Sequence, residues 1–112
     1  MKEESGIKCI ALLRAKDNMT LNEFKTRWVD EHCALTLKMP NLKGYRVNIA
    51  ISEFQDMPLE NLPYHGTAEL WWDSLEDMKS DFSSQEGRLA GEDADFFCEI
   101  RVHIYTTEYI IK

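Results

Sequence analysis

The sequence predicts a single α+β domain: one antiparallel sheet of four strands, with helices packed on one face. Three observations carry this. At 112 residues the chain is one domain long, since domains typically run about 100–150 residues. Hydrophobic residues make up 44 %, including three Trp, four Tyr and five Phe, enough for one core. Short β-favouring runs also alternate with stretches of helical spacing in the order β-α-β-β-α-β, the split-βαβ or ferredoxin-like arrangement.

Met1–Gly6 ("MKEESG") reads as a flexible polar leader before one domain spanning residues 7–112. "IKCIALLR" (Ile7–Arg14) is apolar enough for a buried strand, and "AKDNM" is a turn. "TLNE" (Thr20–Glu23) has the form of a capping box. Leu21, Phe24, Trp28, Leu35 and Met39 then recur at helical spacing up to Pro40, which predicts a helix over Leu21–Lys38. A second strand is expected around Tyr45–Ile51, followed by a long acidic, proline-containing loop. "GTAELWWD" (Gly66–Asp73) is a third strand, and its adjacent Trp71 and Trp72 must face opposite ways. Asp73 or Ser74 can cap a second helix. Ser83, with Glu86 three residues later, can cap a further short one weakened by Gly87 and Gly91. Glu99–Ile111 closes the sheet.

Strand one carries Ile7, Cys9, Ala11 and Leu13 on one face but Ile10 and Leu12 on the other. A sheet apolar on both sides needs two covers. Its own helices supply one. A second copy packed sheet to sheet would supply the other, so a homodimer with a barrel at its interface is expected.

The 13 Lys+Arg against 20 Asp+Glu give a formal charge of −7. That balance disfavours nucleic acid and anionic membrane surfaces as partners, because both are bound by cationic side chains. Cys9, Cys33 and Cys98 are an odd number without ligand spacing, so neither a disulfide scaffold nor a structural metal site is expected. No apolar run approaches the roughly 20 residues of a membrane span, and the leader lacks a signal-peptide core. A cytoplasmic protein is expected.

His32 stands four residues after Trp28 and three before Leu35, so its imidazole points towards the sheet. Spacing alone makes it a core histidine bonded to a backbone carbonyl. The chain reverses at Pro40–Gly44, however, and can bring Tyr45 back to the C-terminal half of the helix. Tyr45 is then either a strand residue whose hydroxyl reaches solvent or a phenol sharing a pocket with His32. Such a pair suits proton transfer on a planar apolar molecule, with imidazole as acid or base and phenol as hydrogen-bond donor. Cys33, one residue on, projects about 100° away from His32, which makes a Cys/His nucleophilic pair a poor fit.

"LNEFKTRWVDEHCALTLKMPNLKGY", with the later "AELWWDSLEDM" and "SSQEGRLAGEDADFF", resembles the EthD family of small dimeric α+β barrel proteins. The resemblance runs from Ile7 to Tyr109 and implies the ferredoxin-like dimer. The founding member accompanies a cytochrome P450 system for ether breakdown. Methylmuconolactone methylisomerases share the barrel, carry a His and a Tyr matching His32 and Tyr45, and rearrange a lactone by proton transfer without a metal. This chain departs from the usual "EHAPL" at Cys33-Ala34, and has Leu70 where the methylisomerases carry a cysteine.

The expected function is therefore a cofactor-free, metal-free enzyme acting on a small cyclic or aromatic carbonyl compound by isomerisation, cyclisation or dehydration. His32 is the acid/base, Tyr45 polarises an oxygen, and Trp28, Trp71 and Trp72 are candidates for the substrate-binding wall. The alternatives are a binding accessory protein of an oxygenase pathway and a cofactor-independent monooxygenase.

Overall fold

A computed structural model describes residues 2–3 and 6–112. Its sheet consists of β1 (Ile7–Ala15), β2 (Gly44–Ile49), β3 (Gly66–Trp72) and β4 (Cys98–Thr106). The strands are antiparallel in the order β2-β3-β1-β4. Cys9, Ala11, Leu13 and Ala15 alternate with less buried residues along β1, the period of a strand with one face on a core. Of the polar leader, residues 1, 4 and 5 lie outside the described residues. Lys2 and Glu3 pair antiparallel with Ile110 and Tyr109. The last strand is thus shorter than expected, and a separate two-residue strand, Tyr109–Ile110, follows it.

The first helix is not the single α-helix that its spacing predicts. It runs as α-helix Leu21–Thr26, π-helix Arg27–His32 and α-helix Cys33–Thr36, together α1. The expected box caps it: the Glu23 N–H donates to Thr20 Oγ1 at 3.1 Å and the Thr20 N–H to Glu23 Oε1 at 2.9 Å. Inside the π segment the Cys33 N–H reaches back five residues to the Trp28 carbonyl. A wider turn shifts the buried stripe to Phe24, Trp28, His32, Thr36 and Met39, so Thr36 takes the buried place expected of Leu35.

Two helices, α2 (Leu75–Ser83) and α3 (Gln85–Ala94), lie on the same face of the sheet as α1. Ser74 caps α2 and Ser84, not Ser83, caps α3, each accepting an N–H from three residues on. The junction between them is tight, because a Cβ on Gly87 would lie 2.1 Å from the Asp81 carbonyl oxygen. The fully buried Asp81 carboxylate pins the assembly. It accepts the Trp72 indole N–H at 2.7 Å and the Asn41 backbone and side-chain N–H groups at 3.0–3.2 Å.

Among the described residues no helix covers the other sheet face. Ile100, Val102 and Ile104 are 45 %, 38 % and 50 % exposed, beside the half-buried Ile10 and Leu12. No helix among the described residues is long and apolar enough to cross a membrane.

Candidate functional site

Between the sheet and the helices lies a cavity of about 120 Å³. Its origin is a lack of side-chain bulk where the layers meet. The sheet contributes Cys9, Ala11 and Ala68, and α3 contributes Gly87, Ala90, Gly91 and Ala94. The last four recur at intervals of three and four, so all lie on one face of the helix. His32, Thr36, Trp28 and Met39 of α1 and Tyr45 of β2 close one side. The exposed His103 and the half-buried Phe82 and Arg101 mark the mouth.

His32 is 8 % exposed and both its nitrogens meet side chains. Nδ1 lies 2.9 Å from Asp93 Oδ2, and Nε2 lies 3.3 Å from Thr36 Oγ1. Asp93 is itself held by Arg27, whose two Nη atoms donate to its oxygens at 2.6 and 3.0 Å. Those hydrogen bonds hold the Asp93 carboxyl below its ordinary range, so it is ionised and can only accept. The Nδ1 proton therefore points at Asp93, and the lone pair of Nε2 accepts from the Thr36 hydroxyl at the cavity wall. Burial pushes the imidazole below its ordinary value, with the Asp93 hydrogen bond pulling the other way. At neutral pH the site thus holds an oriented, unprotonated base.

The π segment makes this triad possible. Arg27 and His32 are five residues apart, which in an α-helix places them about 140° apart. The wider turn brings both onto the α3 side, where they share one carboxylate. Functional sites are frequent places for such turns.

Tyr45 sits where the reversal after α1 was expected to bring it. Its hydroxyl accepts the Trp28 indole N–H at 3.4 Å and faces the Cys33 thiol at 3.4 Å. Burial raises the phenol well above its ordinary value, so Tyr45 stays a neutral O–H donor. Cys33 is not among the cavity's lining residues. It does reach the Tyr45 hydroxyl, which a 100° offset from His32 did not anticipate.

Of the three tryptophans, only Trp28 lines the cavity. Trp72 is buried beside it on the helix side, bonded to Asp81 and packed edge-on against Phe82. Trp71 is on the opposite face, with Lys8 Nζ and the Arg46 guanidinium each 5.3 Å from its ring centre. The sequence reading missed Thr36, Asp93, Arg27 and Arg101. Asp93 and Arg101 carry no spacing signal, because their neighbours in the site come from other elements. Cys9 is buried in the cavity floor with its thiol pushed up to about 11, a poor nucleophile. Among the described residues no three of His, Cys, Asp and Glu converge where they could hold a metal ion.

A profile of the EthD domain matches residues 16–100. This chain belongs to the EthD family. An EthD family protein from Bacillus halodurans superposes with a TM-score of 0.77 at 22 % identity, over 93 % of this chain and 99 % of that one. A hydroxynitrile lyase from Passiflora edulis gives 0.71 at 14 % identity, over 94 % of each chain. A cofactor-independent oxygenase from Streptomyces nogalater gives 0.64 at 6 % identity, over 96 % of each. At these identities the likeness is one of fold, and it places the EthD chain among ferredoxin-like α+β proteins. No curated protein matches the sequence.

Proposed function

We propose that this EthD protein is a cofactor-free enzyme that moves a proton on a small cyclic or aromatic carbonyl compound, by isomerisation, cyclisation or dehydration. The observation that carries the reading is an imidazole with its Nδ1 proton tied to a carboxylate and its Nε2 held only by the Thr36 hydroxyl, which a substrate can displace. It stands at the wall of a small apolar cavity that the Tyr45 phenol also lines. Nε2 takes a proton from the carbon next to the carbonyl, and the negative charge moves to the carbonyl oxygen. The Tyr45 O–H donates to that oxygen, a contact that strengthens as the charge develops. Asp93 stabilises the imidazolium, which returns the proton at a new position or to a leaving hydroxyl. Trp28 shapes the wall. That a hydroxynitrile lyase has this fold supports small-molecule chemistry in such a cavity.

The uncovered apolar face of β1 and β4 supports a homodimer joined sheet to sheet, since contiguous exposed patches of this kind mark interaction surfaces. Sedimentation equilibrium should give twice the chain mass, and Ile104→Asp should give the single-chain mass. A native single-chain mass would sink the dimer.

The test of the chemistry is solvent exchange. Cyclic ketones, lactones and phenols are incubated in D2O with the protein, and proton NMR follows loss of the signal next to the oxygen-bearing carbon. Exchange that depends on His32 and consumes no oxygen is expected. Oxygen uptake by the same compounds would replace this reading with cofactor-independent oxygenation, a chemistry for which the Streptomyces neighbour is named. Binding without exchange or uptake would leave an accessory binding protein.

A further inference from the structure

The chain is strongly acidic, with 20 Asp+Glu against 13 Lys+Arg, yet among the described residues no Asp or Glu lines the cavity. Its ionisable lining groups, thiols and Tyr45 aside, are His32, His103 and Arg101. Asp93 stands behind His32 and is already engaged by Arg27. An anion entering the cavity therefore meets no fixed negative charge on its walls.

Arg101 differs from the other cation of this region. Arg27 has both terminal nitrogens on one carboxylate at 2.6 and 3.0 Å and little left to offer. Arg101 gives one hydrogen bond, from Nη1 to the Gly91 carbonyl at 2.8 Å. Its nearest carboxylate oxygen, on Asp95, is 3.5 Å away on a side chain 76 % exposed, an ion pair of little strength. A guanidinium has five donors in a planar fork that matches a carboxylate, and among the described residues only Gly91 and Asp95 engage this one. Arg101 is held by Gly91 while His32 is held by Asp93, two residues further along α3. The cation on β4 and the base on α1 are thus both tied to a single turn of α3.

The space sets the other half of the specificity. An engineered apolar cavity of about 150 Å³ takes one benzene. A cavity of about 120 Å³ with an open mouth has room for one ring inside and a polar substituent at the opening. Cys9, Ala11 and Ala68 on the sheet and the glycine and alanine residues of α3 leave that space free of bulky side chains on two opposing sides.

We propose that the substrate is a single planar or near-planar ring bearing a carboxylate, with the carboxylate on Arg101 at the mouth and the ring in the slot between the sheet and α3. This deepens the proton-transfer reading, on which it rests for the meaning of the word substrate. The anchor orients the ring so that its reacting carbon, and not its charged group, meets His32.

Benzoate and benzamide are the probes, because they share a shape and differ in charge. They are titrated into the full-length protein at pH 7.5 by calorimetry and by NMR of the His32 and Trp28 ring signals. Benzoate should bind about tenfold or more tightly than benzamide, and should move both ring signals. Arg101→Gln should abolish the preference, and Arg101→Lys should keep part of it, which separates loss of charge from loss of fold. Equal affinities in the native protein would overturn the proposal. So would a preference that survives Arg101→Gln, or ring signals that benzoate leaves unmoved. His32→Asn should keep the benzoate preference. In the native protein, a benzoate preference with no solvent exchange on ring carboxylates would refute the catalytic reading while leaving the anion site standing.

Discussion

His32 and His65 are both 8 % exposed, both lie on the helix-covered side of the sheet, and both use two ring nitrogens. What they bond to separates them. His65 Nδ1 accepts the Ala15 backbone N–H at 3.0 Å, and Nε2 donates to the Leu59 carbonyl at 2.8 Å. It joins the end of β1, where the β1–β4 register shifts between Arg14 and Ala15, to the turn at Leu59–Asn61. Its partners are groups that secondary structure leaves over, so it is a brace. His32 bonds instead to a carboxylate and a hydroxyl, neither of which needs it for backbone pairing. One imidazole completes the fold and the other is held ready beside an empty space. Burial alone does not separate the two histidines; the nature of their partners does, and it supports the acid/base role proposed for His32.

The sharpest way to break this comparison is His32→Asn. Turnover of an exchanged substrate should fall about 10³-fold, the scale of a lost general acid/base, while urea unfolding shifts by less than about 1 kcal/mol. Unchanged kcat would move His32 into the same class as His65. Tyr45→Phe removes the oxyanion donor and should lower kcat about 10²-fold, with KM little changed, measured on the same substrate. His65→Ala should do the opposite. It strands a buried N–H and a carbonyl and costs about 2 kcal/mol in urea unfolding, with kcat per folded molecule unaltered.

A subtler test is Asp93→Asn. It removes the group that holds the Nδ1 proton and lets the other tautomer form, so kcat should fall at least about tenfold. Because Asp93 is the cause that pulls the His32 value up, the NMR titration midpoint of His32 should move lower still. A midpoint that rises would contradict the geometry given for the pair.

The smallest effect is in stability against pH. The folded-state value of His32 is depressed, so between it and the unfolded value of about 6.5 the unfolded chain binds more protons. His32's contribution is therefore fully present above about pH 6.5 and is lost as pH falls through the folded value. The difference in Tm between the native protein and His32→Asn should shrink from pH 7.5 to pH 5. A difference that grows on acidification would reverse the assignment of burial as the dominant cause.

The expected order of elements and the Thr20–Glu23 cap were legible because they depend on local pattern. So were the inward face of His32 and the reversal that returns Tyr45 to it. Helix periodicity and a Pro-Gly turn reach no further than neighbouring elements. Asp93 was not legible, since it lies 61 residues from His32 on a helix whose spacing singles it out for nothing. Thr36 and Arg27 were hidden for another reason: a π turn changes the angular bookkeeping from which faces are read. Trp71 and Trp72 were expected in the pocket wall because they are aromatic and adjacent. Strand alternation sends Trp71 to the far face, and Asp81 draws the Trp72 indole N–H to itself.

The sequence by itself determined the EthD fold and pointed to His32 and Tyr45, the pair proposed for the chemistry, because strand alternation, helix spacing and the motif around His32 are properties of short segments. Only the tertiary structure decided what surrounds them. The cavity exists because small residues from β1, β3 and α3 face one another, and the base is oriented because Arg27, Asp93 and His32 meet across two helices. Empty space and long-range hydrogen bonds are relations between elements, and no single segment carries them.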